Sequence, residues 1–175
     1  MLERQRQLLE SIEAAFANVQ LGEGVSLHET EVLDMYGSDE ERLAARSRDE
    51  QHDWRRLIHS PDLIEVCGIG GLSFYDPEGL RFHLPAYLSR VVTNPLEDQA
   101  SSVFESLIFT LTSLSDYQLE RLSILNADQR HCCGDVLEYV RDVWAAEWDY
   151  DGTEINSAVK QYWSLGMGSN HGDLR

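Results

Sequence analysis

The sequence has few basic residues and no long apolar run. Lysine and arginine together number 14 against 31 acidic residues, which gives a formal net charge of −17. Domains that grip a nucleic-acid backbone are basic, so this charge excludes nucleic acid as the main partner. No apolar run approaches the length that a membrane-spanning helix needs, and residues 1–6 do not lead into the apolar core of a signal peptide. We therefore expect a cytoplasmic protein that binds neither nucleic acid nor membrane.

Cysteine and the common catalytic motifs are also scarce. There are three cysteines, and Cys132 and Cys133 are adjacent, whereas zinc sites space their thiolates two to four residues apart. An odd count does not indicate a disulfide framework. The glycine-rich residues 67–71 are not followed by the lysine of a phosphate-binding loop, so we expect a hinge there. No Gly-x-Ser-x-Gly nucleophile motif occurs, and the sequence predicts no catalytic residue and no cofactor.

Metal sites receive little support from the spacing of acidic residues and histidines. An acidic residue three positions before a histidine puts both side chains on one helix face. Two such pairs occur: Asp49 with His52, and Asp128 with His131. In so acidic a chain, about one pair is expected by chance. The acidic run 147–151 resembles the first half of a calcium loop, but Ala158 stands where the bidentate glutamate should be. We therefore predict no metal site.

Helix-start signals are what the sequence has in abundance. Five segments have the pattern of a capping box, in which a polar first residue and an acid or amide three positions later cap each other's backbone amides. They begin at Ser26, Ser38, Ser115, Asn126 and Asp151. Each precedes apolar residues at helical spacing, and convincing alternating strands are absent. The sequence predicts an all-α, irregular globular bundle of about eight helices with little or no β structure, a single domain over residues 1–165 and a flexible tail over 166–175.

The same patterns predict particular boundaries and core positions. Gly37 should take the left-handed conformation that ends the helix begun at Ser26. Pro85 lacks a backbone amide, so a helix should end near His83 and another begin at Leu84. The apolar stripes predict a core that includes Phe16, Trp54, Phe74, Phe82, Tyr87, Leu88, Ile108, Val136, Leu137, Val140 and Trp144.

Three segments have a distinctive sequence: Asp-Trp-Arg-Arg-Leu at 53–57, the stretch from Leu72 to Leu88 that contains Phe-His-Leu-Pro-Ala-Tyr-Leu, and Leu-Asn-Ala-Asp-Gln at 125–129. In this order they resemble a bacterial family of unknown function, DUF6714. The similarity covers roughly residues 53–145 and departs at His83, where an aromatic residue is usual, and at Asn126, where threonine is usual. It implies a small, mostly helical bacterial domain and carries no activity or site residues.

Acidic residues are concentrated in two stretches with almost no base. Residues 23–41 contain seven acids and no base, and residues 135–154 contain seven acids with Arg141. If the stretches share one side of the molecule, they form a strongly negative surface; alternatively, the charge serves solubility. The candidate partner-binding residues are Glu29, Glu31, Asp34, Glu40, Glu41, Asp142, Glu147, Asp149 and Asp151.

Two classes of function remain open from the sequence. The first is a non-enzymatic interaction domain that masks a basic protein partner, as small acidic immunity proteins and antitoxins do. The second is an enzyme or a small-ligand-binding protein with a site built from dispersed residues, which motifs would miss. The sequence leaves the oligomeric state undetermined.

Overall fold

The computed structural model describes residues 2–66, 71–96 and 102–166. Within these ranges the chain forms nine α-helices and no strand, which confirms the predicted all-α fold. The helices are α1 Leu2–Ala15, α2 Glu29–Asp34, α3 Asp39–Arg46, α4 Asp62–Glu65, α5 Pro77–Thr93, α6 Ser102–Thr112, α7 Asp116–Leu122, α8 Ala127–Trp148 and α9 Thr153–Gln161. Short 3₁₀ turns occur at Trp54–Leu57, Gly71–Ser73 and Trp163–Gly166. Most of the predicted hinge (67–70) and of the predicted tail (167–175) lies outside the described residues.

Three long helices, α1, α5 and α8, pack against one another at the centre of the fold. The Gln5 side chain donates to the Val92 carbonyl at 3.0 Å, and that of Gln129 donates to the Ala15 carbonyl at 3.2 Å. These bonds join the start of α1 to the end of α5, and the end of α1 to the start of α8. Helix α1 therefore runs antiparallel to both neighbours. None of the described helices combines the length and apolar character needed to cross a membrane.

Helix α5 passes through Pro85 without a break, so the predicted helix end near His83 is wrong. The missing amide of Pro85 leaves the Arg81 carbonyl without its helical donor, a change worth about 3 kcal/mol in a helix interior. Around it, Leu84 and Leu88 are fully buried. Burial of a large apolar side chain contributes about 2 kcal/mol, so the tertiary packing of this segment outweighs the local penalty.

The predicted core is largely confirmed. Nine of the eleven residues are buried: Phe16, Trp54, Phe82, Tyr87, Leu88, Ile108, Val136, Leu137 and Val140. Trp144 is half-buried against the core. The prediction for Phe74 is wrong, because its exposed fraction is 37%. Phe74 directly follows the 3₁₀ turn Gly71–Ser73, and the next residue, Tyr75, points into the core in its place.

Candidate protein-interaction surface

The entry to α2 is fixed by polar contacts and differs from the predicted capping box. The Ser26 amide donates to Glu29 at 2.8 Å, as the pattern predicts. The Ser26 hydroxyl, however, donates to Asp49 at 2.5 Å, and α2 begins at Glu29 without a side-chain cap. Only one of the two predicted bonds of the box therefore forms. The Ser26 hydroxyl does not cap α2, because it donates instead to a carboxylate that is distant in sequence.

Asp49 gathers three groups from the segment before α2. Its buried carboxylate accepts the Ser26 hydroxyl, accepts the His28 amide at 2.9 Å, and lies 2.5 Å from His28 Nδ1. A serine, a histidine and an aspartate thus meet, but the hydroxyl donates to the carboxylate and not to the imidazole. Such an arrangement does not activate a nucleophile, which needs the serine beside the base. The cluster ties residues 26–28 to the segment that follows α3.

Glu29 joins α2 to α3. Its buried carboxylate lies 3.1 Å from Arg46 Nη1 and 3.6 Å from Arg42 Nη2. Arg46 also donates to the carbonyls of Gly22 and Gly24. The sequence placed Glu29 among the candidate partner-binding residues, but its charge is already paired inside the fold.

The end of α2 places an aromatic side chain in solvent. The Gly37 amide donates to the Val32 carbonyl at 2.8 Å and the Tyr36 amide to the Leu33 carbonyl at 3.1 Å, the pattern of a Schellman motif. The left-handed residue is Tyr36, with φ 56°, so its predicted place at Gly37 is wrong. Gly37 is needed for a different reason, since a Cβ there would lie 2.4 Å from Val32 Cγ1.

A surface groove of about 750 Å³ lies between α2 and α3. Val32 of α2 and Met35, which directly follows that helix, line one side, and Ala44 and Ala45 line it from α3. The three most exposed apolar side chains of this region are Met35 at 75%, Tyr36 at 97% and Leu43 at 66%. Met35 and Tyr36 line the groove whereas Leu43 is not among its lining residues, and we call the groove with its lining residues the α2–α3 corner. The sequence does not indicate this surface, because Val32, Leu33 and Tyr36 recur at helical spacing and so predict a single face of α2.

Several carboxylates of α2 and α3 lack a basic partner among the described residues. Glu31, Asp34 and Glu40 have no basic side chain within ion-pairing distance in the described part of the chain. Glu41 lines the groove and accepts the Ser38 amide and hydroxyl at 2.7 and 2.9 Å. These hydrogen bonds lower the pKa of Glu41, so its charge persists at neutral pH.

The acidic residues of the second stretch differ in whether they are paired with a basic side chain. Asp142 is paired with Arg4 at 2.8 Å and with Arg141 at 2.7 Å. Glu147, Asp149 and Asp151 are exposed and have no basic partner among the described residues. Asp151 accepts the Thr153 amide at 2.9 Å, but the residue that precedes α9 is Gly152 and the helix has no side-chain cap, so the capping box predicted at Asp151 is wrong.

The two acidic stretches attach to opposite ends of α5. Near its start, Asp76 accepts the Val25 amide at 2.8 Å. Near its end, the Trp144 indole donates to the Pro95 carbonyl at 2.9 Å. Helix α5 has 17 residues, which separates these two attachment points by roughly 25 Å. The first stretch, with Glu31, Asp34, Glu40 and Glu41, is therefore anchored near the start of α5, and the second, with Asp142, Glu147, Asp149 and Asp151, is anchored near its end.

The histidines and cysteines outside the α2–α3 corner do not form a metal-holding cluster with acidic residues in the described part of the chain. Among the described residues no three His, Cys, Asp or Glu side chains approach closely enough to hold a metal ion. His131 lies 3.4 Å from Asp135, the residue one turn beyond it. Cys132 and Cys133 are buried, and burial raises the pKa of Cys132 to about 12 and also raises that of Cys133 well above its usual value. Neither thiol supplies a thiolate at neutral pH.

Comparison with known proteins places the chain in a family. No curated protein and no solved structure matches it. The model of a family of unknown function, DUF6714, matches residues 4–166, which extends well beyond the segments on which the sequence resemblance rests. The chain belongs to the DUF6714 family.

Proposed function

We propose that this chain is a non-enzymatic, cytoplasmic bacterial domain that binds a basic protein through the α2–α3 corner. The observation that carries the proposal is Tyr36, which is 97% exposed while its backbone holds φ 56°. The left-handed conformation disfavours a residue with a Cβ by about 1 kcal/mol, and exposure provides no compensating burial.

Two physical arguments connect this feature to protein binding. Backbone strain that the surrounding structure enforces often marks a functional position, and an exposed aromatic side chain is a common anchor of an interface. Met35 lines the same groove and adds exposed apolar area beside Tyr36, so the surface resembles the apolar centre of an interface.

The charge of the acidic residues on α2 and α3 indicates the kind of partner. Glu41 lines the groove, and Glu31, Asp34 and Glu40 lie on the two helices that form it. None of the four has a basic partner among the described residues, so they attract a positive protein face and repel nucleic acid and anionic membrane. The net charge of −17 acts over longer distances in the same direction. Masking of a basic partner, as immunity proteins and antitoxins do, is the biological role that this chemistry suits best.

The test is site-specific photo-crosslinking in cells of the source organism. The crosslinker p-benzoylphenylalanine replaces Tyr36 in one variant and Phe109 in a matched control, because Phe109 is also an exposed aromatic residue, at 60%, on α6. We expect one protein to crosslink at position 36 and not at position 109. That protein is then purified and its binding to the whole chain is measured at increasing salt.

Two isosteric triple variants identify the surface that the purified partner uses. The first is Glu31→Gln, Asp34→Asn and Glu40→Gln. The second removes the same charge at the other end of α5 with Glu147→Gln, Asp149→Asn and Asp151→Asn.

We expect the first triple variant to slow association by roughly tenfold and the second to have a much smaller effect. Equal effects of the two variants, or an affinity that does not depend on salt, would contradict the proposal.

A further inference from the structure

We infer that the segment of the partner that occupies the groove is a cationic amphipathic α-helix. This inference rests on the proposed function and adds the structure and chemistry of the bound segment. It follows from the shape of the groove, from the secondary structure around it, and from the position of its charges.

The groove suits a helix because its floor is made of small residues between two helices. Gly37, Ala44 and Ala45 line it, and small side chains allow another helix to approach closely. Val32 and Met35 stand at the side and can receive the apolar side chains of a bound segment. An amphipathic helix uses such a groove through apolar residues at positions i, i+3 or i+4, and i+7.

Other common modes of peptide binding lack the structure they need. Strand addition requires an exposed sheet edge, and the described ranges of this chain contain no strand. Proline-rich segments bind between aromatic side chains, whereas Tyr36 is the single aromatic residue among those that line this groove.

The charges specify the rest of the bound helix. Glu41 lines the groove, and neither it nor Glu31, Asp34 and Glu40 on the same two helices has a basic partner among the described residues. Basic residues should therefore flank the apolar stripe on the side that faces these carboxylates. Arg48 also lines the groove, and no carboxylate lies within ion-pairing distance of it among the described residues. An acidic residue of the bound helix, or the negative end of its dipole, should lie beside Arg48.

The probe is a synthetic leucine–lysine peptide of about 18 residues with leucines at helical spacing. Its control has the same composition and charge, with leucine and lysine alternating so that no helical apolar face forms. Binding to the full chain is measured by fluorescence anisotropy, and helix formation by circular dichroism. Because both peptides carry the same charge, the difference between their affinities reports the apolar face alone.

The variant that tests the groove is Ala44→Gln, which places a larger neutral side chain on its floor. Ala44 is exposed, so this change leaves the core intact, and unchanged circular dichroism of the protein confirms that. The matched control is Ala146→Gln, an exposed alanine on α8 near the other acidic stretch.

We expect the helical peptide to bind at least roughly tenfold more tightly than its control. Ala44→Gln should remove that advantage and Ala146→Gln should retain it. Absent binding of the helical peptide, equal affinity of the two peptides, or an unchanged advantage in Ala44→Gln would overturn the helical occupant. The proposed function would still stand if position 36 crosslinks a basic protein in a salt-dependent complex, and it would fall separately if that crosslink fails.

Discussion

Acidification should destabilise the fold through the buried imidazole of His83. The side chain lies in the middle of α5 and is fully buried. Its Nδ1 contacts the Gly79 carbonyl at 2.7 Å, its ring stacks on Tyr75 with centroids 4.3 Å apart, and its Nε2 has no hydrogen-bond partner among the described residues. Burial lowers the pKa of His83 from 6.5 to about 4, because a charged ring would lose its hydration.

The sign of the effect follows from where the proton binds. The unfolded chain protonates this histidine at pH values below 6.5, whereas the folded chain does so near pH 4. Within that window the unfolded state binds more protons, so the free energy of unfolding falls as the pH falls. His83 should lower that free energy by about 2 kcal/mol between about pH 7 and pH 5, and by about 3 kcal/mol once the pH is below the folded-state pKa.

The variant that isolates this effect is His83→Phe. Phenylalanine keeps a flat ring against Tyr75 and does not titrate, and the Gly79 carbonyl retains the backbone amide of position 83 as its helical donor. Urea unfolding of both proteins at about pH 7 and about pH 5 gives four free energies of unfolding. The carboxylates titrate in both proteins, so their contribution cancels in the difference.

We expect the wild-type chain to lose about 2 kcal/mol more than His83→Phe between the two pH values. Equal losses in the two proteins would show that His83 does not carry a lowered pKa in the fold. A larger loss in the variant would show that the ring is protonated and stabilising, the reverse of what its burial implies.

Three further substitutions test other parts of the structure by urea unfolding. Trp54→Ala should lower the free energy of unfolding by about 3–5 kcal/mol, because the indole is buried and donates to the Phe16 carbonyl at 3.0 Å; a loss under about 1 kcal/mol would mean that the indole is exposed. Tyr36→Gly should raise the free energy of unfolding by about 1 kcal/mol, because glycine adopts the left-handed conformation without strain. The same variant should bind the partner more weakly, and a lower free energy of unfolding would show that Tyr36 is not strained. Gly24→Ala should lower the free energy of unfolding by about 1–3 kcal/mol, because a Cβ there would lie 2.4 Å from the Gly79 nitrogen. An unchanged free energy of unfolding would mean that the loop around Gly24 moves to accommodate the Cβ without cost.

The features of the fold that the sequence predicted correctly are those set by nearby residues. The boxes at Ser38 and Asn126 form in full, because each needs a backbone amide and a side chain three residues apart. The errors at Ser26 and Pro85 have a tertiary cause. Asp49, 23 positions along the chain, takes the Ser26 hydroxyl, and buried neighbours hold Pro85 inside a helix.

The candidate surface was predictable in its charge and not in its shape. The absence of bases between residues 23 and 41 marks an acidic region directly. Which of its carboxylates are unpaired depends on where Arg42 and Arg46 lie, and they neutralise Glu29. Nothing in local spacing indicates that Tyr36 turns outward, because its left-handed conformation results from how the chain leaves α2.

The way α2 is held explains how a six-residue helix can present apolar side chains to solvent. Its own buried residues are Glu29 and Thr30, both polar, so apolar burial contributes little to its position. Polar bonds from Asp49 and Arg46 fix it instead, which leaves Met35 and Tyr36 free of core packing. A partner that binds the α2–α3 corner therefore meets a surface that is already ordered, and association loses less conformational entropy than it would on a mobile loop.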